Sequence, residues 1–278
     1  MWTGGACLRG ISLHQLRHLH LRHLQPSRRH ALPAVRGGKP ARLDSGVKRK
    51  LVLFDIDGTL LLSDGAGRRA IHAALGDQGV DTTPGAGIRF DGKTDPQIVS
   101  ELLAAAGHPA PDDPGRIAGV LDRYLTHLER DLSRYGHRSR LMPGVPALLD
   151  ALEADATVVL GLLTGNVVPG ARLKLRAAGL DPERFLVGAY GSDHARRGEL
   201  PGIAARRAEP HFGRIPTGSE VVIIGDTPAD VRCAEGIGAR TIAVATGGYT
   251  VAELEGTGAH AVFADFSEVS RAVEAILF

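Results

Sequence analysis

The chain has 278 residues, 43% of them apolar and only 4% aromatic, enough for a core domain with a smaller companion whose interior rests on Leu, Val, Ile and Ala. No stretch of 18 uninterrupted apolar residues marks a transmembrane helix, and two cysteines, Cys7 and Cys233, supply neither a disulfide framework nor a zinc-ligand spacing. The net charge of +2 is uneven: residues 1–50 hold 11 Lys and Arg against one acid, Asp44, whereas the remainder holds 22 against 30, so the acidic body offers no broad attraction for nucleic acid.

Residues 1–46 form a basic leader with five His, seven Arg and one Lys. It reads as disordered or targeting-like. An organelle-targeting peptide shares its Arg-rich, acid-poor character but usually holds more Ser, and a nucleic-acid arm is the third reading. The unstructured extension is preferred, because no segment has the periodic length of a packed element. With it goes an expectation of a cytoplasmic protein with neither a nucleic-acid nor a membrane partner.

The first strand is predicted at Leu51–Phe54 and ends in Asp55-Ile56-Asp57-Gly58-Thr59-Leu60. Two carboxylates two residues apart can face the same side of an extended chain, and Gly58 lets the backbone turn away. An EF-hand is excluded, since Gly falls at the fourth position and Ala66 at the twelfth. Between Leu60 and Arg140 the pattern is helical, at Ala70–Leu75, Ile98–Ala106 and Ile117–Ser133, with no convincing strand. This predicts a helical domain over 62–140, inserted into a core made of 47–61 and 141–278.

Within the insert, Gly87-Ile88-Arg89-Phe90-Asp91-Gly92-Lys93-Thr94 matches the Walker A pattern. A phosphate-cradling loop needs a buried strand ahead of it. The preceding Gly79–Ala86, with Pro84, Gly85 and two threonines, cannot be a central strand. The preferred reading is a loop of the insert facing the active site, with Lys93 a candidate substrate contact; a plain inter-helix loop is the bland alternative.

After the insert, strands are predicted at Thr157–Leu163, Phe185–Ala189, Val221–Ile224, Thr241–Ala245 and Ala261–Phe263. Amphipathic stretches separate them, at Val145–Ala154, Ala171–Ala178, Ile203–Ala208, Ala229–Gly236 and Val251–Leu254, and Val269–Leu277 closes the chain. Continuous apolar strands alternating with helices predict an α/β fold, a parallel sheet covered on both faces. Ligands of such sheets bind beyond the carboxyl ends of the strands. Two of those ends stand out, Thr164-Gly165-Asn166 and Gly225-Asp226-Thr227-Pro228-Ala229-Asp230. Read alone, the first is better explained as an ordinary N-terminal helix cap, and the second can be read as a cap with a favourable helix-dipole contact.

Together, the stretches at Asp55–Thr59, Thr164–Asn166 and Gly225–Asp230 resemble the haloacid dehalogenase-like hydrolase superfamily, in its phosphoglycolate phosphatase-like branch, over about residues 50–278. The resemblance implies a Rossmann-like parallel core with an inserted α-helical cap, and a Mg²⁺-dependent phosphatase of a small phosphorylated metabolite. In that scheme Asp55 attacks phosphorus and becomes phosphorylated, and Asp57 protonates the leaving oxygen and then activates water. Thr164 holds a phosphoryl oxygen. Asp55, the carbonyl of Asp57 and Asp226 bind Mg²⁺, with Asp230 behind them. The family also uses a Lys near the phosphate, in a Lys-Pro segment that is Arg197-Gly198-Glu199-Leu200-Pro201 here. Lys174 is the preferred substitute, with Arg172 and Arg197 as rivals. The alternatives are a sugar phosphomutase, against which the resemblance sets Thr59 and Gly225, and a P-loop ATPase or kinase.

Overall fold

In the computed structural model, which describes residues 49–278, the strands in chain order are β1 (Lys50–Phe54), β2 (Leu61–Leu62), β3 (Arg140–Leu141), β4 (Val158–Thr164), β5 (Val187–Tyr190), β6 (Val221–Gly225), β7 (Arg240–Val244) and β8 (Ala261–Phe263). Six of them build one sheet in the order β5-β4-β1-β6-β7-β8, with every pairing parallel. The strands are continuous apolar runs because both faces of the sheet are covered. Val52 and Phe54 point into one core cluster with Leu148, Leu149 and Ile276. Leu51 and Leu53 point to the other face and pack with Leu200, Ala204 and Ala208.

The covering helices are α4 (Val145–Glu153), α5 (Val168–Ala177), α6 (Leu200–Phe212), α7 (Pro228–Cys233), α8 (Val251–Glu255) and α9 (Val269–Leu277), while α1 (Ala66–Gly76), α2 (Asp95–Ala105) and α3 (Pro114–Tyr135) belong to the inserted cap. The cap has its own core. Val120, Tyr124, Leu128 and Leu132 recur every fourth residue along α3 and pack against Ile71, Leu75 and Leu102. Helices α2 and α3 begin earlier than the apolar periodicity suggests, because caps and not core contacts set their starts. Thr94 caps α2 by accepting from the Gln97 amide, Asp113 caps α3 by accepting from the Arg116 amide, and each helix has Pro within its first two positions.

One departure from the expected pattern lies where the cap joins the core. Leu61–Leu62 pairs antiparallel with Arg140–Leu141, although no strand was expected between Leu60 and Arg140. Two residues are too few to show alternation. The predicted basic leader, 1–46, lies outside the described residues. Among the described residues, no helix is long and apolar enough to cross a membrane.

The topology sets the position of the site. From β1 the chain crosses to β4 and β5 on one side, then returns to place β6 on the other side of β1. Ligands of open α/β sheets bind at such a reversal. Phe54 lies level with Leu162 of β4 and Ile224 of β6, so residues just beyond these three strands converge.

Candidate active site

Asp55 follows the last residue of β1, and its amide donates to the carbonyl of Ile224 at 2.9 Å, which fixes the exit from the strand. Two residues later Asp57 is held in the turn closed by Gly58, whose φ is +87°. A Cβ on Gly58 would lie 2.3 Å from Oδ2 of Asp226. Glycine is therefore required here for space as well as conformation. Thr59 donates to Oδ1 of Asp226 at 3.2 Å, tying the first and third stretches together.

Asp57 faces the end of β4. Its Oδ2 accepts from Asn166 Nδ2 at 2.8 Å and from Lys174 Nζ at 2.6 Å. Asn166 Nδ2 also donates to Thr164 Oγ1 at 2.8 Å, and Asn166 Oδ1 accepts from Lys174 at 2.6 Å. Thr164 is fully buried, and Lys174 is 4% exposed. Burial alone would lower the Lys174 pKa, but Asp57 and Asp95 outweigh it, so the ammonium is held charged. Lys174 is thus brought to the cluster from α5. Asn166 was absent from the expected site residues, although it closes the Thr164–Asn166 stretch at the end of β4.

The rival cations separate cleanly. Arg172 pairs with Glu183, away from the cavity. Arg197 is buried and its Nη2 reaches Oδ1 of Asp230, Oδ1 of Asp55 at 3.3 Å and the carbonyl of Leu163 at 3.3 Å. The site therefore holds two buried cations, Lys174 beside Asp57 and Arg197 beside Asp55. A solvated Lys and a buried one look the same in a helical sequence, so this division could not be read beforehand.

Asp55, Asp226 and Asp230 bring one carboxylate oxygen each within 4.8 Å of the others. Burial, and then the charges of Asp230 and Asp57, push Asp55 up to about 6 against the opposing pull of Arg197. Asp226 rises well above the ordinary carboxylate range through burial, Asp230 and Asp55. Buried carboxylates that repel one another fit a hard cation with oxygen ligands. Asp230 is already engaged: Thr227 donates to its Oδ2 through the amide at 3.0 Å and the hydroxyl at 2.6 Å, and Arg197 holds Oδ1. Asp55 and Asp226 are less engaged by side-chain donors, and Asp230 sits at their side.

These groups open onto a cavity of about 220 Å³ whose cap wall includes Arg68, Ile71, Phe90, Lys93 and Ile98. Lys93 lines it while paired with Glu101. The Walker-like stretch follows a single 3-10 turn, Thr83–Gly85, in place of a strand. Its Thr94 hydroxyl donates to the carbonyl of Ala195 at 2.6 Å, so it serves the cap–core contact.

A sheet-end cluster of this kind under a helical cap defines a hydrolase class: the chain belongs to the haloacid dehalogenase-like hydrolase family, whose model matches residues 49–238. Within that family it is a phosphatase acting on a small phosphorylated substrate, and a phosphoglycolate phosphatase of Rhodospirillum rubrum is 31% identical over 79% of this chain and 89% of its own. Glycerol-1-phosphate phosphohydrolase 2 of Saccharomyces cerevisiae is 25% identical over 72% of this chain and 76% of its own. Among solved structures, a hydrolase from Pseudomonas syringae has a TM-score of 0.62 at 22% identity, covering 83% of this chain and all of that one. A putative beta-phosphoglucomutase of Bacteroides vulgatus has 0.58 at 19%, covering 84% and 90%. At those identities the structural likeness is one of fold.

Proposed function

We propose that the protein hydrolyses a small phosphate monoester with Mg²⁺, through an aspartyl-phosphate on Asp55. The observation that carries this reading is the meeting of Asp55, Asp57, Thr164 and Asp226 at adjacent strand ends beside two buried cations. A carboxylate oxygen of Asp55 attacks phosphorus, and the bond from phosphorus to the leaving oxygen breaks. Asp57 gives that oxygen its proton. Asp57 then takes a proton from water as the water oxygen attacks phosphorus, which releases inorganic phosphate and restores Asp55. Thr164 and Lys174 hold the phosphoryl oxygens, and Arg197 holds Asp55 and Asp230 in place. Asp55, Asp226 and the carbonyl of Asp57 would hold the Mg²⁺, with Asp230 behind them, and the bound ion would offset the repulsion between a carboxylate and a phosphate dianion.

The cavity, about 220 Å³, is below the usual 300–1,000 Å³ of drug-sized sites, which supports a compact substrate. Phosphoglycolate, named for the Rhodospirillum rubrum relative, is of that size. A phosphomutase reading has less support. The resemblance associates an acidic residue with position 225 in mutases, but a Cβ on Gly225 would lie 2.1 Å from Cγ of Asp230.

Hydrolysis of p-nitrophenyl phosphate and of a panel of small phosphate monoesters, with Mg²⁺ and with EDTA, tests the proposal. Turnover should require the metal. Full activity after chelation, or turnover of none of the compounds, would overturn it.

A further inference from the structure

The end of the Walker-like stretch has no part in the reaction described above, yet it meets three core loops in succession. Gly92, at φ +72°, lies against the loop after β6: a Cβ there would be 2.5 Å from Cβ of Ala229 and 2.8 Å from Oγ1 of Thr227. The carbonyl of Lys93 lies against the loop after β4, where a Cβ on Gly165 would be 2.0 Å from it. Thr94 bonds to Ala195 in the loop after β5. Asp95 then makes two contacts with the β4 loop. Its amide donates to the carbonyl of Gly165 at 2.8 Å, and its Oδ2 accepts from the amide of Val167 at 2.9 Å.

The second contact matters because of what Val167 is. It is the N-cap residue of α5 and has no side-chain oxygen with which to cap that helix. The cap domain provides a carboxylate there instead. From the same place Asp95 acts electrostatically on Lys174, the residue of α5 that reaches Asp57. Asp95 is 6% exposed, and burial pushes its pKa up to about 6 in spite of Lys174 and the Val167 amide. A buried carboxylate under that penalty is a poor choice for stability alone. The cap adds a second polar group to this corner. The hydroxyl of Tyr124, from α3, is buried without a hydrogen-bond partner. It would lie 3.9 Å from a Cβ on Gly67, which would itself lie 3.1 Å from Lys174 Nζ.

We propose that Asp95 is a positioning residue that acts from the cap: it fixes the start of α5 and holds the Lys174 ammonium in register with Asp57 and Asn166, so that the phosphoryl-binding unit is completed by a cap residue. The inference rests on the phosphatase reading, within which Lys174 meets the phosphoryl group.

The test is a double-mutant cycle of Asp95→Asn and Lys174→Ala, read by calorimetric titration of orthovanadate with Mg²⁺ present and by kcat on p-nitrophenyl phosphate. Asn keeps an acceptor for the Val167 amide and removes the charge facing Lys174. Asp95→Asn should weaken orthovanadate binding and lower kcat about tenfold, a size expected when a reacting group is displaced slightly, with a melting temperature no lower than wild type. In the Lys174→Ala background the same change should weaken binding less than about twofold, since residues acting through one another are not additive. Equal weakening in both backgrounds, no weakening, or loss of the fold on Asp95→Asn would each overturn the positioning role. A wild-type protein that neither binds orthovanadate nor turns over any phosphate ester would instead overturn the phosphatase reading, and this inference with it.

Discussion

Lys174 and Asp57, 117 residues apart in the chain, meet at 2.6 Å, and Asn166 bonds to both. The group proposed to exchange protons with the substrate therefore shares its cation with the loop proposed to hold phosphate. Asp57 remains 38% exposed at its side chain, while Lys174 is almost fully enclosed. An enclosed ammonium can reinforce developing negative charge with little screening by water.

Lys174→Ala should accordingly lower kcat by about 10²-fold, as for other electrostatic stabilisers removed from a site. Steady-state kinetics on p-nitrophenyl phosphate checks this. Arg172→Ala, which breaks the exposed pair with Glu183, should leave kcat within about twofold, because such surface pairs contribute little. A large loss in the Arg172 variant with an unchanged Lys174 variant would reverse the assignment.

Asp55→Asn should abolish turnover, since it replaces the carboxylate proposed as nucleophile with a neutral amide of nearly the same shape. Wild type should be inhibited by beryllofluoride, which mimics a phosphoryl group on aspartate. Lys93→Ala should raise KM more than it lowers kcat, because Lys93 lies in the cavity wall and is already paired with Glu101. ATP hydrolysis that survives in Asp55→Asn and disappears in Lys93→Ala would restore the P-loop reading.

The Asp95 carboxyl predicts a pH effect on stability. Burial raises its pKa from 3.8 to about 6, against Lys174 and the Val167 amide, with Asp57 adding to the rise. Between those values the folded chain keeps the proton that the unfolded chain has lost, so folding weakens as pH rises through the window. Below it both states are neutral; above it the penalty is complete. Asp95→Asn has no such penalty. The melting temperature of Asp95→Asn relative to wild type should therefore climb from about pH 4 to about pH 6 and then level off. Thermal unfolding of the two proteins across that range checks the sign, and parallel curves would contradict it.

Gly225→Ala should destabilise the fold by about 1–3 kcal/mol, the usual range for overpacking a filled interior. Its Cβ would be 2.4 Å from Cβ and 2.5 Å from Oδ2 of Asp230, the residue that bonds to Arg197 and Thr227. Denaturant unfolding gives the stability, and a parallel fall in kcat is expected as Asp230 shifts. Wild-type stability would show that Asp230 moves freely.

The strands were legible because a parallel sheet demands unbroken apolar runs, and segments such as Val221–Gly225, buried at every position, have them. Asp55 and Asp226 were legible for the same reason: each stands within two residues of the end of its apolar run. The β2–β3 ribbon was not, since pairing alone creates it. Asn166 and Asp95 were missed because each looks like an ordinary loop or first-turn residue. Arg197 was named as a rival but could not be ranked, since its contacts with Asp55 and Asp230 depend on where β1 and α7 meet the turn ahead of α6.

By itself, then, the sequence determined which carboxylates stand at the strand ends, because period and turn chemistry act over a few residues. Which cation faces which carboxylate was decided by the tertiary structure. Lys174 reaches Asp57 across 117 positions, and Asp95 caps Val167 across 72. The free energy of such contacts comes from the proximity of opposite charges and from the low dielectric of the corner that encloses them. Neither exists until the sheet has ordered its strands and the cap has closed against their ends.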